Sequence, residues 1–304
     1  MNTSRREFIK NSSLTIAGVT FIPQILTAKK NDDILGIQLY SVRDDMKKDP
    51  AGTLRKLADM GYKYVEHAGY RNSKFYGYSI PDFKKLLNDL GLRMESGHSS
   101  LRSKQWDKVA NDFTDEWKQT IKDAAAVGMK YMISPGLDED LCQNMDDFKH
   151  YIDMFNKTGD LCKKSGIHFG YHSENYEFNH SLDGTVLYDL LIQLTDKNSV
   201  VQEIDIGNMY EAGGRAMDFL KKYPGRFPLM HVRDEIKRST PRQDGRLYES
   251  TILTKGVIPI KEIVDYGRKT GTKHFIIEQS EYQDKTPLEC AAENLRIMHS
   301  LGFK

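Results

Sequence analysis

Ionisable side chains stand at the ends of four consecutive apolar segments in the second half of the sequence. These segments are short and rich in β-branched residues, so each is predicted to be a strand. A carboxylate buried in such a strand is costly unless it is paired or bound to a cation. Asp205 lies between two isoleucines and Glu278 follows a third, so both carboxylates need a partner. One divalent cation would serve them all.

The residue types at these strand ends also indicate which cation. Two glutamates, one aspartate and one histidine would form an oxygen-rich site, which suits Mn²⁺, Mg²⁺ or Co²⁺, with Zn²⁺ also acceptable. His231 is the histidine of this set, because it stands beside Asp205 and Glu278 at matching strand ends. The cysteines predict neither a disulfide framework nor a zinc knuckle, because the 3 are widely spaced and lack a Cys-x-x-Cys pair.

The elements that must position these residues follow a regular order. Eight strand segments alternate with eight helical segments from residue 34 onward, and glycines follow several helices where a left-handed cap favours them. Strict alternation predicts a parallel sheet, and eight repeats close it. No Gly-x-Gly-x-x-Gly turn follows the first strand, which argues against an open doubly wound sheet. We therefore predict the α/β class, as a single-domain (β/α)8 TIM barrel over residues 29–304.

Composition excludes several classes of protein. Hydrophobic residues make up 39% of the chain and aromatic residues 10%, as in an ordinary globular protein rather than a disordered one. The 44 Lys and Arg balance 43 Asp and Glu, and they are interspersed rather than gathered in a basic stripe. Nucleic-acid binding needs such clustering, so we expect no nucleic-acid partner. A homo-oligomer remains compatible with the sequence.

Residues 1–28 have the pattern of an export signal. Ser4–Lys10 reads SRREFIK and precedes an apolar stretch that ends in small residues, which resembles a twin-arginine signal peptide. The apolar stretch is interrupted by Gly18 and Pro23 and is shorter than the roughly 20 residues that a membrane span needs. We therefore expect a periplasmic or otherwise exported protein, with no stable membrane insertion after signal removal.

Motifs on six of the predicted strands together resemble one family. The motifs are Gly36–Arg43, Gly61–Glu66, Tyr171-His172 with Glu177-Phe178, Asp205, His231–Asp234 and Glu278. Through them the chain is similar, over nearly all of residues 34–302, to the xylose-isomerase-like barrel superfamily of sugar and sugar-phosphate isomerases and epimerases. In that family Glu, Asp, His and Glu from strands five to eight hold the metal. The resemblance implies the ligands Glu177, Asp205, His231 and Glu278.

The fifth strand departs from the pattern of the family. Relatives often show Tyr-His-Asn-His before the Glu-Phe pair, whereas residues 171–174 here read Tyr-His-Ser-Glu. His172 and Glu174 are therefore alternative ligands, and otherwise we expect them to line the substrate pocket. Glu177 is preferred as the ligand because the Glu-Phe pair is intact.

Six further polar residues are expected to contact a substrate. The pair on the first strand could hydrogen-bond a sugar hydroxyl or plug the bottom of the barrel. The pair that ends strands two and three points to the same rim and could contact substrate or be solvated at the start of a loop. The two basic residues could bind an anionic substrate group or form surface salt bridges. The six are Gln38, Tyr40, Glu66, His98, Arg233 and Lys255.

The resemblance implies a metal-dependent sugar isomerase or epimerase. The carbonyl and neighbouring hydroxyl of a keto- or aldo-sugar would chelate the metal, which would acidify the adjacent C–H and stabilise an enediolate. Glu177 and Glu278 would flank the substrate and share the proton transfers. Two alternatives stay open: a keto-glycoside lyase or hydratase that begins with the same proton abstraction, and a non-catalytic exported sugar-binding barrel.

Overall fold

Eight parallel strands close into a barrel in the computed structural model, which describes residues 33–303. Each strand pairs with its sequence neighbours, and the last pairs with the first, so the sheet has no free edge. The predicted single-domain (β/α)8 TIM barrel is confirmed. The strands are β1 Ile34–Gln38, β2 Tyr64–His67, β3 Arg93–His98, β4 Tyr131–Pro135, β5 His168–His172, β6 Val200–Asp205, β7 Leu229–Val232 and β8 His274–Ile277.

Helices follow the strands and cover the outside of the barrel. Several end at glycines in the left-handed conformation that the sequence predicts, including Gly61 and Gly271, both at φ 112°. The helices are α1 Arg43–Lys48, α2 Pro50–Met60, α3 Ile80–Asp89, α4 Asp115–Val127, α5 Met145–Lys164, α6 Tyr176–Asn179, α7 Leu187–Leu194, α8 Ile206–Glu211, α9 Ala216–Lys222, α10 Ile260–Thr270 and α11 Pro287–Ser300.

The interior of the barrel is layered. Ile133, Leu229 and Ile276 form a small buried apolar cluster contributed by β4, β7 and β8. Side chains two residues apart on a strand share a face, so His231 and Glu278 lie on the same face as this cluster and one layer nearer the C-terminal ends of the strands. A polar layer therefore sits on an apolar floor.

Short hairpins rise from the C-terminal ends of the strands. One follows β2, with strands Tyr70–Arg71 and Lys74–Phe75, and another follows β3, with strands Trp106–Asp107 and Asp112–Phe113. A longer one, Asp234–Lys237 paired with Tyr248–Thr251, lies in the insertion after β7. These hairpins build the rim around the polar layer.

Two sequence features concern the membrane and export. None of the helices in residues 33–303 is long and apolar enough to cross a membrane. The expected export signal at residues 1–28 lies outside the described residues.

Candidate metal centre and active site

Four side chains from β5 to β8 bring possible metal ligands together. Each comes from the end of its strand, where the parallel register aligns them: Asp205 pairs with His231 across β6 and β7, and the N–H of Glu278 donates to Val232 O. The donor atoms of the group all lie within 4.8 Å of one another. Its members are His172, Asp205, His231 and Glu278.

The distances within this group are those of a coordination shell. His231 Nδ1 lies 2.7 Å from Glu278 Oε2 and 3.1 Å from His172 Nε2. Asp205 Oδ2 lies 3.6 Å from His172 Nε2 and 3.8 Å from His231 Nδ1. Ligand atoms that surround one ion at about 2.0–2.2 Å are themselves roughly 3.0–3.5 Å apart, so small rotations would suffice to bind a divalent cation.

Asp205 is held with one oxygen turned into the group. Its Oδ1 accepts the N–H groups of Gly207 and Asn208, both at 2.8 Å, and so caps the N-terminus of α8. Its Oδ2 is buried and has no hydrogen-bond partner. Such an orphaned acceptor is costly unless a cation or proton occupies it, and the residues therefore fit a metal.

The two nitrogens of the His231 imidazole have different surroundings. Nδ1 faces the donor group, whereas Nε2 lies 2.8 Å from Glu66 Oε1 and 3.4 Å from Glu203 Oε2. A carboxylate on the far nitrogen selects the tautomer in which the near nitrogen is free to bind metal. Glu66 is itself fixed by Gln38 Nε2, which donates at 2.7 Å, and by the hydroxyl of Ser96.

His98 joins the same network from β3. Its Nε2 lies 3.0 Å from both Glu66 Oε1 and Glu203 Oε2, and its ring stacks on His231 with 5.4 Å between centroids. A second set of possible ligands, His98, His172, Glu203 and His231, therefore overlaps the first. The two sets share His172 and His231. Because Glu66 contacts both His98 and His231, we interpret His98 and Glu203, which occur only in the second set, as residues that orient the ligands of the first.

The protonation of each histidine and carboxylate in this network depends on the charges of its neighbours. Burial and the neighbouring His231 lower the pKa of His172, but Asp205 and Glu174 outweigh them and raise it to about 10. Burial raises the pKa of Asp205, yet the neighbouring imidazoles of His172 and His231 and the positive charge of Arg233 hold it below its ordinary value. Protons on the imidazoles thus balance the carboxylates, so a cation competes with these protons and binds better as pH rises.

The structure places Glu177 outside both donor sets. The chain turns into α6 at Tyr176, and this turn directs Glu177 into the protein, where it is fully buried. Its Oε1 accepts the N–H of Glu174 at 2.6 Å, and its Oε2 is unpartnered. Burial raises the pKa of Glu177 to about 7. The structure therefore does not bring Glu177 to the other three expected ligands, whereas His172, the alternative from β5, lies beside them.

A cavity of about 1310 Å³ opens above the donor group. Its lining shows which of the remaining predicted residues can face a substrate. Seven of the predicted residues line it: Gln38, Tyr40, His98, His172, Glu174, Arg233 and Glu278. Glu66 acts from below through His231. Lys255 is exposed outside the cavity and pairs with Glu293 at 2.6 Å, which is the surface salt bridge given as its alternative.

Two contributors were missed by sequence reasoning. Glu203 lies two residues before Asp205 on β6, and strand alternation places both on the inner face, which is a signal that could have found it. Ser96 holds Glu66 from the neighbouring β3, but a serine inside a strand carries no such signal.

Comparison with known proteins assigns the family. The model of the xylose isomerase-like TIM barrel family matches residues 54–301. The chain belongs to this family. An inosose dehydratase of Clostridium perfringens (strain 13 / Type A) is 31% identical over 107 residues, which are 35% of this chain and 35% of that protein. The match thus spans about a third of the relative's length.

Solved structures share the fold over most of the chain. A sugar phosphate isomerase/epimerase from Parabacteroides distasonis ATCC 8503 is 26% identical, with a TM-score of 0.73 over 88% of this chain and 98% of that one. The IolI protein, solved with a zinc atom, has a TM-score of 0.64 at 13% identity, over 88% and 97% of the two chains. The fold of this family and the donor group together indicate a divalent metal.

Substitution of Asp205 tests the donor group. Asp205→Asn keeps an oxygen that can cap α8 but removes the charge, so we expect at least about a tenfold loss of affinity for divalent metal. Glu177→Gln is the matched variant and should retain metal. Plasma mass spectrometry of both purified proteins checks this. If Glu177→Gln lost metal as fully as Asp205→Asn, Glu177 would be a ligand after all.

The pH dependence of stability tests the burial of Glu177. Its folded pKa is raised, so the wild-type protein loses stability as pH rises from about 4.5 to about 7, whereas a glutamine does not titrate. Relative to wild type, the free energy of unfolding of Glu177→Gln should therefore rise by up to about 3 kcal/mol as pH increases over this range. Urea denaturation of chelator-treated protein measures it, and a pH-independent difference would contradict the assignment.

Proposed function

We propose that this protein is a divalent-metal-dependent enzyme that removes a proton next to the carbonyl group of a keto- or aldo-sugar. The observation that carries the proposal is the convergence of four metal-ligating side chains beneath a large polar cavity. Isomerisation, epimerisation and dehydration of such sugars can all begin with this step. The names of the similar proteins, a dehydratase and an isomerase/epimerase, are compatible with it.

The chain's own residues divide the work between holding a cation and moving protons. His172, Asp205, His231 and Glu278 would hold the ion. When bound, a divalent cation polarises the substrate carbonyl and stabilises the negative charge that develops on its oxygen.

Glu174 is the carboxylate best placed to accept the proton. It lines the cavity, its side chain is 38% exposed, and it belongs to neither donor set. Asn208 Nδ2 donates to its Oε2 at 3.0 Å, which fixes its direction, while its Oε1 lies 3.5 Å from His172 Nδ1. Glu177 lies off the cavity, so in this proposal Glu174 takes the role that the family pattern gives to Glu177.

Glu278 faces the same cavity from the other side of the barrel. It follows β8, whereas Glu174 follows β5, so the two carboxylates approach a substrate from different walls. Its Oε1 lies 3.8 Å from the guanidinium of Arg233. Arg233 also donates to Glu235 at 2.7 Å and to Ser280 at 2.9 Å, so it is braced beside the site. The proton for the second position would come from a protonated Glu278 or from water, and Glu174 would release to solvent the proton that it removes.

Two carboxylates on different walls favour isomerisation or epimerisation, in which a proton leaves one position or face and another is added elsewhere. Elimination of water is the second candidate, favoured by the local similarity to an inosose dehydratase. Export, expected from residues 1–28, is part of the proposal and implies a substrate met outside the cytoplasm.

Solvent deuterium exchange tests the proposal. Wild-type protein supplied in turn with Mn²⁺, Mg²⁺, Co²⁺ and Zn²⁺ is incubated in D₂O with ketoses, aldoses and 3-keto-glycosides, and products are followed by NMR. We expect deuterium next to the carbonyl, and a loss of about 100-fold or more in Glu174→Gln. Deuterated epimer or isomer indicates the first candidate, and an unsaturated product the second.

Lys255→Gln is the control, because it removes a charged side chain outside the cavity and should leave the rate unchanged. If the protein binds metal stoichiometrically yet no deuterium enters any sugar, the enzyme proposal fails and the sugar-binding barrel is favoured. Full exchange in Glu174→Gln would remove Glu174 from its role.

A further inference from the structure

The cavity is larger than one sugar ring requires. Its volume of about 1310 Å³ exceeds the roughly 300–1,000 Å³ typical of sites for small ligands. The metal ligands come from β5 to β8, so they account for only one half of its wall. The other half, built by the loops after β1, β2 and β3, has no part in holding the cation.

Basic side chains line this second half without acidic partners. Four basic residues lie here, and within residues 33–303 no carboxylate oxygen lies within 4.0 Å of their charged nitrogens. Glu116 is the acidic residue that lines this half of the cavity. The four are Arg43 after β1, Arg71 after β2, and Arg102 and Lys104 after β3.

Basic residues elsewhere on the rim are neutralised. Arg242 pairs with Asp244 at 2.6 Å, and Arg246 lies 3.7 Å from Glu211. Arg233 pairs with Glu235 at 2.7 Å. The uncompensated positive charge is thus confined to the half of the rim that lacks metal ligands.

Two of these cations are held rigidly by neutral groups. The guanidinium of Arg102 donates to the backbone oxygens of Gly136 at 2.6 Å and Pro135 at 3.1 Å. Arg43 donates to Tyr282 Oη at 2.6 Å and lies 4.6 Å from the centre of the Tyr40 ring. Neutral partners fix the position of a charge without cancelling it, as a preorganised anion site requires.

We propose that the loops after β1, β2 and β3 form an anion subsite that binds a carboxylate, phosphate or sulfate group of the substrate, remote from its carbonyl. This inference rests on the proposed function, because the subsite would bind the end of the sugar that lies away from the carbonyl at the metal. It makes the substrate an acidic sugar: a uronic acid, a sugar phosphate or a sugar sulfate. Arg and Lys recognise all three groups by charge-assisted hydrogen bonds.

Binding measurements separate this subsite from the reaction. Isothermal titration of EDTA-treated protein with D-glucuronate, D-glucose 6-phosphate, D-glucose 6-sulfate and neutral D-glucose needs neither metal nor turnover, so it remains informative if no sugar exchanges deuterium. We expect at least one acidic sugar to bind about tenfold or more tightly than glucose, and added NaCl to weaken it. The tightest of the three identifies the anionic group.

A double variant tests the loops themselves. Arg71→Gln with Lys104→Gln removes two exposed cations that make no hydrogen bond in residues 33–303, so the fold should be unaffected. It should lose about tenfold in affinity for the acidic sugar and nothing for glucose. The matched control is Arg55→Gln with Lys255→Gln, which removes two exposed positive charges outside the cavity.

Three outcomes would overturn the inference. One is equal binding of acidic and neutral sugars by the wild-type protein. Another is an unchanged affinity for the acidic sugar in Arg71→Gln with Lys104→Gln. The third is an equal loss in the control double variant, which would reflect overall charge rather than a subsite.

Discussion

The structure depends on neutralising several carboxylates that are buried together. Asp205, Glu203 and Glu66 are almost inaccessible to solvent, and Glu278 is nearly so. Carboxylates at such short range repel one another strongly where water cannot screen them. The imidazoles of His98, His172 and His231 and the guanidinium of Arg233 are the positive partners that lie beside them, and a bound cation would add to these.

Strand geometry makes this concentration of charge compatible with a stable fold. The alternation of side chains stacks the polar layer directly on the apolar cluster of Ile133, Leu229 and Ile276, so the two environments meet along a plane rather than mixing. Two of the buried carboxylates are also tied to a rigid element: Asp205 caps α8, and Glu66 binds β1 and β3 through Gln38 and Ser96. The site is therefore preorganised by the same hydrogen bonds that join the strands.

The sequence predicts the placement of residues at strand ends more closely than the placement of residues in the loops that follow. The barrel follows from counted alternation, and the structure brings Asp205, His231 and Glu278 together because strand ends in a parallel barrel share one face. Glu177 and Lys255 lie beyond strand ends, where a turn into α6 or a long insertion decides the direction of the side chain. No periodicity encodes such turns, and position along the chain is then a poor guide to position in space.

The two-residue strands of the hairpins after β2 and β3 have a bearing on how such a barrel diversifies. They pair only with each other, so the closed sheet does not rely on their hydrogen bonds. Insertions or exchanges in these hairpins would alter the rim while the strands beneath retain their register. A lineage built on this scaffold can therefore acquire new sugars by remodelling one arc of loops and keep its inherited chemistry intact on the other.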